Sequence, residues 1–287
     1  MIGSNLLRAA SVATIATIAT LAFGTTAANA QGLVINGEVT LINEAPAAAH
    51  LENMDTVYSG WNFRTTETQA LQLDDFDNPG MIFVDQAIDQ WSTVDGEAGK
   101  SCASCHEGGP SEFAGLRTVL PRWDEDAGGI QSMEDYINKC RTEQMEADAW
   151  KWSESKMTAM TALLGLESRG MPVAVVIDGP AAEAWELGKE IYYTRVGQLD
   201  IGCANCHEDN YDTMIRADHL SQGQTNGFPS YRLKNAKLNS IHARFKGCMK
   251  NIRATPFAEG SDEFRALELY VASRGNGLSV EGTSVRN

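Results

Sequence analysis

The sequence predicts a mainly α chain, built as two tandem helical domains related by duplication and preceded by an N-terminal extension. Three observations carry this prediction. First, one order of features occurs twice, about one hundred residues apart: an apolar stretch with helical spacing, a Cys-x-x-Cys-His string, a lone cysteine, and a second helical stretch ending in Ser-Arg-Gly. Second, the 287 residues are 43% hydrophobic, with 26 Gly and 8 Pro, the balance of a globular chain rather than a disordered, collagen-like or multi-span membrane one. Third, six cysteines are too few for a disulfide scaffold, and four of them fall in the two Cys-x-x-Cys-His strings. The formal charge of -15 provides no basic field for a polyanion, which excludes a nucleic-acid role.

Along the chain, residues 1–30 read as a secretory signal peptide. Arg8 precedes an uncharged run from Ala9 to Phe23, and Ala28-Asn29-Ala30 forms a small-residue cleavage site. The run contains several Thr and falls short of the roughly 20 apolar residues of a spanning helix, so the mature chain is expected to have no membrane anchor. Residues 31–78 form the extension. A hairpin is expected from Leu33-Val34-Ile35 and Val39-Thr40-Leu41 around Asn36-Gly37, with the remainder packed over the first domain.

The first domain is placed at residues 79–172. Its leading helix is read from Met81, Ile82, Val84, Ile88 and Trp91, and its closing helix runs to Ser168-Arg169-Gly170, with the glycine as C-cap. Breakers at Met171-Pro172 and Asp178-Gly179-Pro180 bound a short extended segment, Val173 to Ile177. The second domain, residues 173–287, repeats the pattern with Trp185, Leu187, Ile191 and Tyr192 in its leading helix, and it closes at Ser273-Arg274-Gly275.

The chemistry lies in Cys102, Cys105 and His106 and in Cys203, Cys206 and His207. Two thiols three positions apart add across the two vinyl groups of one haem, and the adjacent histidine supplies an axial nitrogen; this is the c-type attachment signature. Two covalently bound haem c groups in cytochrome c-like domains are therefore expected. A thioredoxin-like pair needs a βαβ context that the helical flanks lack. A structural zinc combines neighbouring short pairs, not pairs one hundred residues apart.

The second axial group stays open at this level. Met157, Met160 and Met249 are candidates, as are His50, His219 and His242. Cys140 and Cys248 occupy equivalent places in the two units, as distal ligands would. Export would equally favour a Cys140–Cys248 disulfide, provided that their Cα atoms approach within about 7 Å.

Beyond the strings, the chain resembles the SoxA family of periplasmic thiosulfate-oxidising cytochromes over essentially its whole mature length. The likeness includes Ser59-Gly60-Trp61-Asn62-Phe63-Arg64, Asp74-Asp75-Phe76-Asp77-Asn78-Pro79, both Cys-x-x-Cys-His strings, and Arg244-Phe245-Lys246-Gly247-Cys248 running on to Arg253-Ala254. The resemblance implies a periplasmic L-cysteine S-thiosulfotransferase catalytic subunit of the dihaem type. His106 with Cys140, and His207 with Cys248, would be the axial pairs. It further implies that Cys248 is the site of a cysteine persulfide and that Arg244 holds substrate beside it. The reaction would conjugate thiosulfate oxidatively to a cysteine thiol of a SoxYZ-like carrier, beside a SoxX-like cytochrome subunit, with electrons passing to a cytochrome c acceptor. The residues agree: four apart on a helix, Arg244 and Cys248 share a face, and a guanidinium grips a sulfur oxyanion by two hydrogen bonds. Lys250 and Arg253 lie close in sequence, Lys250 reading as a solvated charge. A thiolate ligand stabilises the ferric state and lowers the potential, which argues against the alternative of a dihaem electron carrier without its own substrate.

Overall fold

A computed structural model describes residues 33–287, so the expected signal peptide lies outside the described residues. The Asn-Gly hairpin forms as anticipated, with β1 (Leu33–Ile35) antiparallel to β2 (Val39–Leu41). Asn36 and Gly37 take φ of +55° and +70° at the turn, the left-handed region that Gly and Asn tolerate best. A second pair, β3 (Glu44–Pro46) and β4 (Thr56–Tyr58), follows, and then α1 (Thr66–Ala70).

The extension does not sit on the first helical half alone, which corrects the sequence expectation. Arg169 of the first half grips Asp75, but most of the anchoring comes from the end of the chain. Buried Glu281 accepts from the Ser59 hydroxyl and, at 2.7 Å, from the Gln72 amide; Asn78 donates to the Thr283 carbonyl at 2.8 Å. Leu278 completes an apolar cluster with Ala45, Leu51 and Val57. A buried carboxylate must collect donors, and these donors are scattered polar residues with no periodicity to announce them.

In the first half, α2 (Met81–Trp91) is followed by three short 3-10 turns, at Cys102–Ser104, Pro110–Phe113 and Leu116–Val119, a hairpin of β5 (Arg122–Asp124) and β6 (Gly129–Gln131), then α3 (Met133–Gln144) and α4 (Ser155–Leu166). Val84, Ala87 and Trp91 of α2 pack with Ala159, Met160, Leu163 and Leu164 of α4. The second half runs α5 (Ala182–Tyr193), α6 (Cys203–His207), β7 (Met214–Ile215), β8 (Asp218–His219), β9 (Ser230–Arg232), β10 (Lys237–Asn239), α7 (Ile241–Asn251), α8 (Asp262–Arg274) and β11 (Ser284–Arg286). Trp185 and Tyr192 of α5 pack against Leu267, Tyr270 and Val271 of α8. β11 lies parallel to β9, which also pairs with β10.

The loops that carry the two strings are built alike. Asp95 bridges to Lys100, and Val196 to Ile201. Gly96 and Gly197, both at φ +74°, lie against the segments that end α3 and α7: an added Cβ would sit 2.8 Å from the Ala147 and Ala254 nitrogens respectively. Only glycine fits either place, because both the backbone angle and the space exclude a side chain.

Two further corrections concern local structure. The chain is less purely helical than predicted, since the described residues also form five small sheets; strands of two or three residues leave no alternation to read. Gly275 caps α8 as expected, whereas α4 stops at Leu166 before Ser168-Arg169-Gly170. There the Ser168 and Arg169 N–H groups turn back to the carbonyls of Gly165 and Leu166, and Gly170 N–H donates to Val280 at 2.9 Å. A tertiary bond thus draws the chain out of the helix. Among the described residues no helix is long and apolar enough to cross a membrane.

Candidate functional site

Both Cys-x-x-Cys-His strings fold as tight turns closed by their own inner residues. Ser101 N–H donates to the Ser104 hydroxyl, and Gly202 N–H to the Asn205 side-chain oxygen, each at 2.9 Å. This local closure satisfies backbone donors at the helical turn that otherwise lack partners, and it places both thiols and the histidine at one end of it.

The two histidines are held through Nδ1. In the second string Nδ1 of His207 lies 2.7 Å from the Ser221 carbonyl oxygen. Since a carbonyl only accepts, Nδ1 carries the proton and Nε2 keeps its lone pair. Burial pulls the His207 pKa down to about 4, with the charges on Arg244 and Arg274 adding to the effect, so the imidazole is neutral at neutral pH. Gly223, at φ +78°, faces this ring so closely that a Cβ would lie 2.9 Å from its Cγ and Nδ1. His106 Nδ1 is 3.2 Å from the Glu112 carboxylate, an equivalent but more exposed arrangement.

Each lone cysteine is brought to its own string. Cys140 on α3 lies within electrostatic reach of Cys102 and Cys105, and burial, then the other thiols, raises the Cys102 pKa. Cys248 on α7 acts in the same way on Cys203 and Cys206; burial first, then these sulfurs, push Cys203 up to about 12. All six cysteines are free, so the Cys140–Cys248 crosslink is not formed.

The other axial candidates are committed elsewhere. Met157 and Met160 are fully buried, and Met249 packs against the core of the second half. Buried His242 stacks on Trp152 at 4.3 Å and lies 3.2 Å from Glu268. His219 pairs with Asp212 at 2.9 Å, and His50 sits edge-on to Trp185.

Arg244 and Cys248 lie one turn apart on α7, whose first turn is capped by the Ser240 hydroxyl accepting from Ala243 N–H. Lys250 is exposed, as read. Arg253 takes a left-handed φ of +60° and turns toward Gln198 at 3.3 Å. Sequence reasoning assigned no role to Arg274, fully buried, ion-paired to Glu208 and 4.5 Å over the Tyr192 ring. Nor did it assign one to Arg64, Arg232 or Asp218. Arg64 falls inside the Ser59–Arg64 string, which was the one available signal.

An imidazole nitrogen and a thiol at each string form a donor set suited to haem iron. A family model described as the SoxA/TsdA cytochrome c domain matches residues 86–173. The chain is thus of the c-type cytochrome class, whose domain implies haem c. L-cysteine S-thiosulfotransferase subunit SoxA from Rhodovulum sulfidophilum is 59% identical over 256 residues, and that from Paracoccus pantotrophus 57% over 260, each match covering 89% of both chains. A chain of the crystal structure of SoxXA from P. pantotrophus superposes with a TM-score of 0.87 at 56% identity, over 90% of this chain and 99% of its own. The chain belongs to the SoxA family of L-cysteine S-thiosulfotransferase subunits.

Proposed function

We propose that this chain is the catalytic, dihaem subunit of a periplasmic enzyme that conjugates thiosulfate oxidatively to a cysteine thiol of a SoxYZ-like carrier protein, beside a SoxX-like cytochrome subunit. The observation that carries this reading is the placement of Cys248. One turn of α7 sets it beside Arg244, and it lies within electrostatic reach of Cys203 and Cys206 of the second string. The tandem duplication is supported by the matched loops at Gly96 and Gly197 and by the shared order of helices. Residues 79–172 and 173–287 are the two haem domains, residues 31–78 the extension, and residues 1–30 the export signal.

Cys102 and Cys105, and Cys203 and Cys206, would hold two haems covalently, with His106 and Cys140, and His207 and Cys248, as axial residues. Haem held there would supply one-electron redox chemistry and an outlet for the electrons toward a cytochrome c acceptor. In the net reaction, the carrier thiol loses its proton and a sulfur–sulfur bond forms to the terminal sulfur of thiosulfate. One proton and two electrons leave, and the product is a carrier cysteine bearing a thiosulfonate. Cys248 carries the sulfur chemistry, and Arg244 holds the anion by its planar fork. Seating Nδ1 of His207 on Ser221 leaves the Nε2 lone pair available to hold iron.

Intact mass and haem spectrum of the exported protein test haem number and signal cleavage together; a mass with one haem defeats the assignment of the first string. For the reaction, Arg244→Lys retains the charge but loses the fork. Thiosulfate use should weaken about tenfold or more while both haem spectra persist. Unchanged turnover and affinity would make Arg244 a surface charge. Electron transfer without thiosulfate-dependent reduction in the presence of a carrier thiol would favour the plain electron carrier.

A further inference from the structure

Beside Cys248 the fold gathers charge of one sign in a chain whose net charge is -15. Arg64, Arg232 and Arg244 lie within electrostatic reach of one another, and Asp218 is the carboxylate acting on both Arg64 and Arg232. Three guanidinium groups against one carboxylate leave the spot net positive, as a site for an anion requires. The three are differently engaged. Arg64 donates Nη1 to Asp218 at 2.9 Å and Nη2 to the His219 carbonyl, so its fork is occupied. Arg232 is half-buried on β9 and spends only Nε, on the main-chain oxygen of Asn287 at 2.8 Å. Its two Nη groups have no protein partner among the described residues, nor has the Arg244 guanidinium.

We propose that Arg232 is a second anion-binding residue of the sulfur site, which holds, together with Arg244, the oxygens of a divalent sulfur oxyanion against Cys248. This rests on the reading of Cys248 and Arg244 given above and extends it to substrate selection. β9 is clamped between β10 and β11, and the main-chain oxygen of Asn287 holds the inner end of the guanidinium, so the side chain is ordered before a ligand arrives. Such preorganisation spares the ligand the cost of ordering a long side chain. Burial, and then the repulsion of Arg244, disfavour the charged form of Arg232; a bound dianion relieves that repulsion. Arg64, held by Asp218, contributes field rather than contact.

The test is direct binding of thiosulfate, and of sulfate as an unreactive dianion, to the oxidised holoprotein by calorimetry, alongside turnover with the carrier. Arg232→Gln should weaken binding of both dianions about tenfold or more and raise KM more than it lowers kcat, with an unaltered haem spectrum. Arg232→Lys should recover part of the loss, and it serves as the test variant if the Gln form does not fold. Arg122→Gln, on β5 of the first half, should leave dianion binding unchanged. Wild-type dianion affinity in both Arg232 variants, or an equal loss in Arg122→Gln, overturns the proposal. If the wild type binds dianions through Arg232 yet shows no thiosulfate-dependent turnover, it is the proposed reaction that fails, not the anion site.

Discussion

Gly188 sets how closely α5 and α8 cross, and enlarging it by one methyl group probes the core of the second half. Trp185, Gly188 and Tyr192 are the buried residues of α5. A Cβ on Gly188 would run into the Ala266 carbonyl oxygen, and it would lie 2.6 Å from the carbon of that carbonyl and 2.9 Å from Tyr270 Cβ. Ordinary contacts are about 3.5–4.0 Å, so the helices must part by on the order of 1 Å. Ala87, at the corresponding turn of α2, is fully buried and carries its methyl group against α4. Overpacking costs roughly 1–3 kcal/mol, more where backbone blocks the way, whereas alanine recovers up to about 1 kcal/mol of helix propensity over glycine. The opposing carbonyl belongs to α8 and cannot rotate aside, so the clash wins by about 1–2 kcal/mol. At roughly 2–4 °C per kcal/mol for a chain of this class, Gly188→Ala should lower the holoprotein Tm by about 2–8 °C. Far-ultraviolet circular dichroism and the Soret band should report the same midpoint. Unfolding at or above the wild-type temperature would mean that only the propensity gain is felt, and would refute the close-crossing argument.

Two further outcomes are expected. Burial, then the charge of Glu268, push the Glu134 carboxyl up to about 8, so the folded state keeps a proton that the unfolded chain loses near its ordinary value. The stability this contributes is present at acid pH and is lost as pH rises between about 4.5 and about 8. Glu134→Gln should remove on the order of 2–4 kcal/mol of that slope; parallel urea midpoints for wild type and variant at about pH 5 and pH 8 would contradict it. Cys248→Ala should abolish turnover, whereas Cys140→Ala should change the spectrum and potential of the first haem and leave substantial activity. Matching turnover, spectrum and unfolding midpoint in the two variants would defeat the assignment of Cys248 to sulfur chemistry.

The chemistry-bearing strings, the leading helices α2 and α5, and the Asn-Gly hairpin were legible in the sequence because each rests on short-range spacing. Attachment to one porphyrin requires thiols three positions apart, a buried helix face repeats every three or four residues, and a tight turn needs residues that accept positive φ. The shared face of Arg244 and Cys248 was legible for the same reason. Tertiary structure alone decided that Gly170 leaves α4 to donate to Val280 and that Glu281 ties the extension to the end of the chain, while it brought Cys248 within electrostatic reach of Cys203 and Cys206, as the family resemblance implied. It also joined Arg232 to Asn287 and to the field of Arg244. Periodicity reports which face of one element is apolar, but the partner of a buried charge is whichever residue the chain path delivers, however distant, and desolvation demands a partner without specifying its place in the sequence.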